Sequence, residues 1–474
     1  MTTRPYDRLH TSLRPPHSSP YDLPSHALRA PVSGRKALPC LLPRLVLRSP
    51  SLACHVSPRV HDIIVSRRGP VNQMQSCGTI MFQVPVSPLV LGSHSRASKP
   101  DHMLGTNFTP TCGSLHYTMS NLDKMKSDIE SALGSLVSST HNILPTETNR
   151  RLYEIGNEYF KICSERSAQT AGSTAEEEED FDRGNSTPGV PQFFSTLWET
   201  VIGCVNNSPV QEQAHSEHIT RLVDLVGKIK DNSQSENGEW SIRGEKCGWS
   251  TLPLLGQTLR DHYNEPIDTM RFSSSSLLCR EGQASVAGAF QLETSHLHGG
   301  ESESDVTRLA KSRHQWLSLQ SFISLLWRDC GYSDYALYAI WALRSGLEDW
   351  PESPPVYGTE CDTFEESPAY LAFQVEATTI WICNTAPLMY KCTEIWGPKG
   401  NPDWPKRAGA PGRGGKRWDG VDGYDHDHKR WQVWKDVLNK VILWCGSAGN
   451  EKFQDSKVND ASKRALDAME QAER

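Results

Sequence analysis

The first 118 residues contain no glutamate and no tryptophan. They hold 13 Lys+Arg against 4 Asp, whereas the remainder holds 36 Lys+Arg, 52 Asp+Glu and all 14 tryptophans. A chain so divided combines two kinds of polypeptide. Without aromatic bulk, and with prolines at 15, 16, 20, 24, 31, 39 and 43, the N-terminal stretch has little with which to build a core. Its Arg-rich, acid-poor bias has the composition of a mitochondrial transit peptide, but the prolines oppose the amphipathic helix such a peptide needs. Two readings of residues 1–118 stand: a disordered tail, or a stretch foreign to the natural protein, with translation starting at Met119.

Other absences exclude whole classes of function. None of the 13 cysteines forms a C-x-x-C pair, so zinc-ribbon and thioredoxin-like sites have no local signature. An odd cysteine count without a signal peptide fits a reducing compartment, and an intracellular protein, cytoplasmic or nuclear, is expected. No run approaches the roughly 20 apolar residues of a membrane-spanning helix; the nearest, Ile380 to Met389, is short and carries Asn384 and Pro387. No G-x-S-x-G elbow offers an activated serine. No stretch alternates apolar and polar residues between turn signals, as a half-buried strand would.

What remains is helical periodicity. Leu122, Met125, Ile129, Leu133 and Leu136 recur at three and four residues, as do Leu152, Ile155, Tyr159 and Ile162. Further stripes run through Phe193, Leu197, Trp198 and Ile202, and through Ile219, Leu222, Val223, Val226 and Ile229. Trp249 to Tyr263 reads as a helix ending before Pro266, and Trp316, Leu319, Phe322, Ile323 and Leu326 as another. The expected fold is all-α: an irregular domain over 119–447, built of antiparallel helix pairs. Residues 171–189, with the acidic run Glu176 to Asp180, read as a solvated linker. The Ser- and Gly-rich stretch 266–312 reads as a flexible insertion such as a retained intron. Residues 448–474 read as a charged helix or tail.

The pattern is densest from Ser367 to Cys445. Ser367-Pro368 is a helix start, a hydroxyl at the N-cap followed by proline where its missing N–H costs nothing. Pro387 is expected to kink or end that helix. A loop of over thirty residues follows, from Trp396 to Trp431, with Trp404 and Trp418 inside it. Loops of that length in a compact domain are functional or disordered, and so much aromatic surface argues for one pinned to the body by its tryptophans.

Gln315 to Phe322, the helix around Trp341 to Leu347, Trp396-Gly397, Trp404, Gly414-Gly415, Trp418 and the Trp431–Trp434 helix together resemble a domain-of-unknown-function family of filamentous fungi. The resemblance covers roughly 121–445, with 266–312 interrupting it. It implies an all-helical intracellular protein and no assigned site.

Three chemistries can be tested against the loop. The segment Gly409 to Arg417 fails as a phosphate loop: Ala410 occupies the first glycine position, Arg417 follows Lys416 where Ser or Thr is required, and no buried strand precedes it. Lys399, Lys406, Arg407, Arg413, Lys416 and Arg417 interleave with Trp404 and Trp418, the combination a nucleic-acid surface uses, but the body they sit on is acidic. Asp419, Asp422, Asp425, His426, Asp427 and His428 could ligate a metal, yet the spacing does not fit an EF-hand; carboxylates just before a helix are explained more simply as N-caps. No cofactor is therefore expected, and neither nucleic acid nor a membrane is the expected partner. A protein-interaction or scaffolding role is the leading expectation. The alternative is a small-molecule binder or enzyme, with a pocket beneath the loop lined by Trp404, Trp418, Asp419, Asp422, His426 and His428.

Overall fold

The computed structural model describes residues 120–138, 143–170, 186–231, 240–280, 305–450 and 457–474, together with 282 and 286. All lie in the unit Phe108–Arg474. The expectations for residues 1–118 and for the acidic run fall outside the described residues. The described part is all-α, with one two-residue-turn hairpin.

The helices are α1 (Asn121–Val137), α2 (Pro145–Thr170), α3 (Val190–Asn206), α4 (Glu212–Lys230), α5 (Leu255–Arg280), α6 (Asp305–Cys330), α7 (Ala336–Leu343), α8 (Pro368–Lys391), α9 (Lys429–Cys445) and α10 (Lys457–Ala472). The hairpin pairs β1 (Trp240–Ile242) antiparallel to β2 (Glu245–Cys247). Its strands are too short to show an alternating pattern in sequence.

Local chemistry accounts for several helix starts. Ser120 accepts from the Asp123 N–H and Ser367 from the Tyr370 N–H, each at 3.1 Å. α3 begins behind Gly189, at φ +82°, with Pro191 in its first turn.

Two helices outrun the sequence expectation. α5 continues through Pro266 to Arg280, and α6 begins at Asp305, so residues 266–280 and 305–312 are helical. The serines are compatible with this because Met270 and Leu277 keep a buried stripe and the Ser274 hydroxyl bonds back to the Met270 carbonyl. α8 likewise passes Pro387 to reach Lys391. One hydrogen bond is lost there, but Ala386 and Met389 on either side stay buried.

A single apolar core runs from Met125 to Met469. Much of its aromatic content sits in three groups. Phe160, Phe193, Phe194, Trp240 and Trp249 pack edge to face near the hairpin, with Trp198 stacked on Phe194. Tyr263, Trp316, Tyr338 and Trp341 join α5, α6 and α7. Trp327, Trp381, Tyr424, Trp434 and Trp431 run from α6 to α9. α10 closes the core by packing on α8 and α9, with Val458, Ala461, Ala465 and Met469 buried. No helix among the described residues is long and apolar enough to cross a membrane.

Candidate functional site

The loop from Trp396 to Trp431 is fastened to the body through one residue the sequence reading passed over. α7 does not end at Leu343 but widens into a π-helical turn, Arg344–Glu348. Such a turn inserts a residue, re-aims the side chains after it, and recurs at functional sites. Here it aims Glu348, fully buried, into the loop. Glu348 Oε1 accepts from Arg430 Nε at 2.6 Å and from Trp434 Nε1 at 2.8 Å. Oε2 accepts from the Gly415 N–H at 2.7 Å and from a second Arg430 nitrogen at 3.1 Å. Arg430, at the start of α9, donates through its other terminal nitrogen, Nη1, to the carbonyls of Gly412 and Gly423. Its guanidinium carbon also lies 5.7 Å from the ring centroids of both Trp418 and Trp434, within cation–π range. A buried carboxylate that accepts four hydrogen bonds and a guanidinium that donates four meet the condition under which such a pair is tolerated in a core.

The loop closes on itself by backbone bonds. The Trp396 N–H donates to Asp422 O (2.7 Å), the Gly412 N–H to Trp396 O (2.8 Å), the Asp422 N–H to Lys399 O (2.8 Å) and the Tyr424 N–H to Glu394 O (3.0 Å). Glycine is required where these strands of loop touch. A Cβ on Gly423 would strike the Glu394 carbonyl, and one on Gly415 would sit 2.6 Å from Asp349 Oδ1 and 2.8 Å from the Glu348 Cβ.

The predicted residues separate into local structural roles. The half-buried Trp404 and Trp418 donate to Gly409 O (2.8 Å) and Val421 O (2.9 Å). Asp419 is exposed and paired with Lys399, whose ammonium holds its carboxyl below the usual range. Asp422 is buried and accepts from the Lys399 N–H at 2.9 Å. His426 is exposed. His428 stacks on Tyr390, with ring centroids 4.1 Å apart. Asp425 caps α9, accepting from the Lys429 N–H at 2.7 Å and the Arg430 N–H at 3.3 Å. Asp427 pairs with Lys429 at 3.0 Å. Most of these groups are engaged by neighbours within the loop, Asp419 and Asp422 both by Lys399. Two clefts lie elsewhere: one of about 630 Å³ between α1, α3 and α4, lined by Glu130, Thr196, Thr200 and His218, and one of about 250 Å³ beside the hairpin.

The loop cations divide in two. Lys399, Arg417, Lys429 and Arg430 each have a carboxylate, that of Asp419, Glu352, Asp427 and Glu348 respectively. Lys406, Arg407, Arg413 and Lys416 are exposed and have none among the described residues.

A second polar cluster escaped the sequence reading because its members come from three places in the chain. Ser208, buried after α3, places its Oγ 3.0 Å from His215 Nδ1 and 3.1 Å from Ser318 Oγ. His314 Nε2 donates to the Ser208 carbonyl at 2.9 Å. No carboxylate completes a catalytic set around Ser208 in these bonds, and the cluster ties α4 to α6.

Fold and site together describe an all-helical protein whose long glycine- and tryptophan-rich loop is clamped by a buried ion pair on a π-turn. The family model described as protein of unknown function, DUF3632, matches residues 198–438, and the chain belongs to that family. The match takes in Glu348, the loop and Arg430 and leaves α1, α2 and α10 outside, so it is narrower at both ends than the sequence resemblance. No curated protein and no solved structure matches the chain.

Proposed function

We propose that the protein is an intracellular interaction scaffold, cytoplasmic or nuclear, that docks a protein partner on the Trp396–Trp431 loop. The observation that carries this reading is the way the loop divides its polar groups. The indole N–H groups of Trp404 and Trp418 and the carboxylates of Asp419 and Asp422 hold its shape, while Lys406, Arg407, Arg413 and Lys416 face solvent without a carboxylate among the described residues. A pre-ordered loop loses little conformational entropy when a partner binds, and unpaired cations on it give that partner a charge to complement. The odd count of cysteines, 13 in all, agrees with a reducing compartment.

The test is capture of partners by the tagged full chain from its native lysate, in parallel with the variant Lys406→Glu/Arg407→Glu/Arg413→Glu/Lys416→Glu. A stoichiometric protein held by the wild type and lost by the variant, with the circular-dichroism melt unchanged, supports the proposal. An identical set of captured proteins for both chains would end it.

A further inference from the structure

The loop is bonded along α7 and its π-turn at several points, two of which bracket a pair of arginines. Trp341 Nε1 donates to the Pro411 carbonyl at 2.9 Å, and the Gly415 N–H donates to Glu348 Oε2 at 2.7 Å. Arg344 stands between the first pair of anchors on the helix side, and Arg413 between their partners on the loop side. Arg344 is half-buried, yet its guanidinium makes no hydrogen bond and no ion pair among the described residues. Arg413 makes none either.

A half-buried guanidinium with five donors and no acceptor among the described residues can offer those donors to an incoming ligand. The neighbouring carboxylates bond other donors. Glu348 has both oxygens occupied by Arg430, Trp434 and Gly415, and Asp349 already gives Oδ1 to the Lys416 N–H at 3.0 Å. Burial first, and then the neighbouring Arg413, hold the Arg344 pKa below its ordinary value, with Asp349, Glu348 and the buried Tyr263 pulling the other way. Lys416 adds a third cation at the same anchor. Arg344 also opens the π-turn, so the inserted residue that aims Glu348 inward sets the position of Arg344 as well.

We infer that Arg344 and Arg413 form an oxyanion site, in the seam between Trp341–Glu348 and Pro411–Gly415, which takes the carboxylate or phosphate of an acidic protein segment. Two guanidinium forks offer the planar, paired donors that such groups accept. The charge of the whole chain favours a short acidic peptide over a nucleic acid. From residue 119 onward there are 36 Lys+Arg against 52 Asp+Glu, so a long polyanion is repelled wherever it leaves the loop, whereas a peptide that ends within the loop is not. The site rests on the interaction reading above for its partner, but its chemistry can be tested alone.

Fluorescence anisotropy of the full chain with a short labelled Glu-rich peptide, its phosphoserine counterpart and a length-matched single-stranded oligonucleotide tests it. Binding of either peptide, weakened about tenfold by Arg344→Gln and by Arg413→Gln and unchanged by the remote Lys440→Gln, is expected. Arg413 is exposed, so its variant reports on the site even where the Arg344 variant perturbs folding. Unchanged binding in Arg413→Gln, or tighter binding of the oligonucleotide than of both peptides, would overturn the assignment. Peptide binding that depends on Arg413, alongside partner capture that does not depend on the loop, would keep the site and remove the scaffold reading.

Discussion

Glu348 Oε1 and Arg430 Nε lie 2.6 Å apart, and neither side chain reaches solvent. The two residues join the π-turn to the first turn of α9 across the whole length of the loop, which makes them the point at which its shape is most easily lost. Removing one partner strands the other charge in the core, at a cost of about 3–5 kcal/mol. Glu348→Gln and Arg430→Met are each expected to lower the urea-denaturation free energy by that amount. The double variant Glu348→Leu/Arg430→Met should cost less than the sum, because no orphan charge remains. Single variants as stable as the wild type would show that the pair does not hold the loop.

Gly423 is the narrowest point of the loop's closure. Its missing Cβ lets the Tyr424 N–H reach the Glu394 carbonyl at 3.0 Å and leaves the bridge between Ile395 and Gly423 intact. Gly423→Ala is expected to force the strands of loop apart, at roughly 1–3 kcal/mol, with a red shift in tryptophan emission as Trp396 gains water. A variant with unchanged emission and stability would mean that the loop has slack the geometry does not show.

The elements legible in the sequence were those written in a local code. Periodic stripes in α1 to α4, α6 and α9, and the Ser367-Pro368 start of α8, needed only neighbours a few residues apart to be recognised. Of the tryptophans expected to pin the loop to the body, Trp431 is buried in α9, whereas Trp404 and Trp418 are half-buried and bond within the loop itself. The Glu348–Arg430 clamp was not legible, since its partners are separated by 82 residues and a glutamate after Leu347 reads as a solvated surface group. Nor was the helical course of α5 past Pro266, where the burial of Met270 and Leu277 outweighs an unfavourable local signal. Of the residues chosen as a candidate pocket, Trp404, Trp418, Asp419 and Asp422 have their partners within the loop itself.

The two serine N-caps should differ in weight. Ser120 is exposed, whereas Ser367 is buried and also donates to the Phe364 carbonyl at 2.6 Å. Ser120→Ala is expected to cost a few tenths of a kcal/mol to about 1 kcal/mol, and Ser367→Ala roughly 1–2 kcal/mol. Chemical denaturation of both variants checks the order. The reverse order would show that capping at α8 is replaceable by water.

Acid stability should be governed by the Ser208 cluster. Burial, and then His314 and His218, pull the His215 pKa down to about 4. Burial also lowers His314, with Arg313 and Lys457 of α10 adding to the effect, and lowers His218 beside Arg221. Arg313, beside His314, is itself paired with Glu376. In the folded chain these imidazoles stay neutral where an unfolded histidine, with a pKa near 6.5, takes up a proton. The unfolded state therefore binds more protons below about pH 6.5, and stability falls as pH falls from there to about 4, with no contribution from these groups above neutrality. For His215 the loss is of order 2 kcal/mol once solvent screening is allowed for. Urea denaturation at neutral and mildly acidic pH should show this slope, and His215→Gln, which cannot titrate, should reduce it. A slope equal in the variant and the wild type would place the acid sensitivity of the protein in some group other than His215.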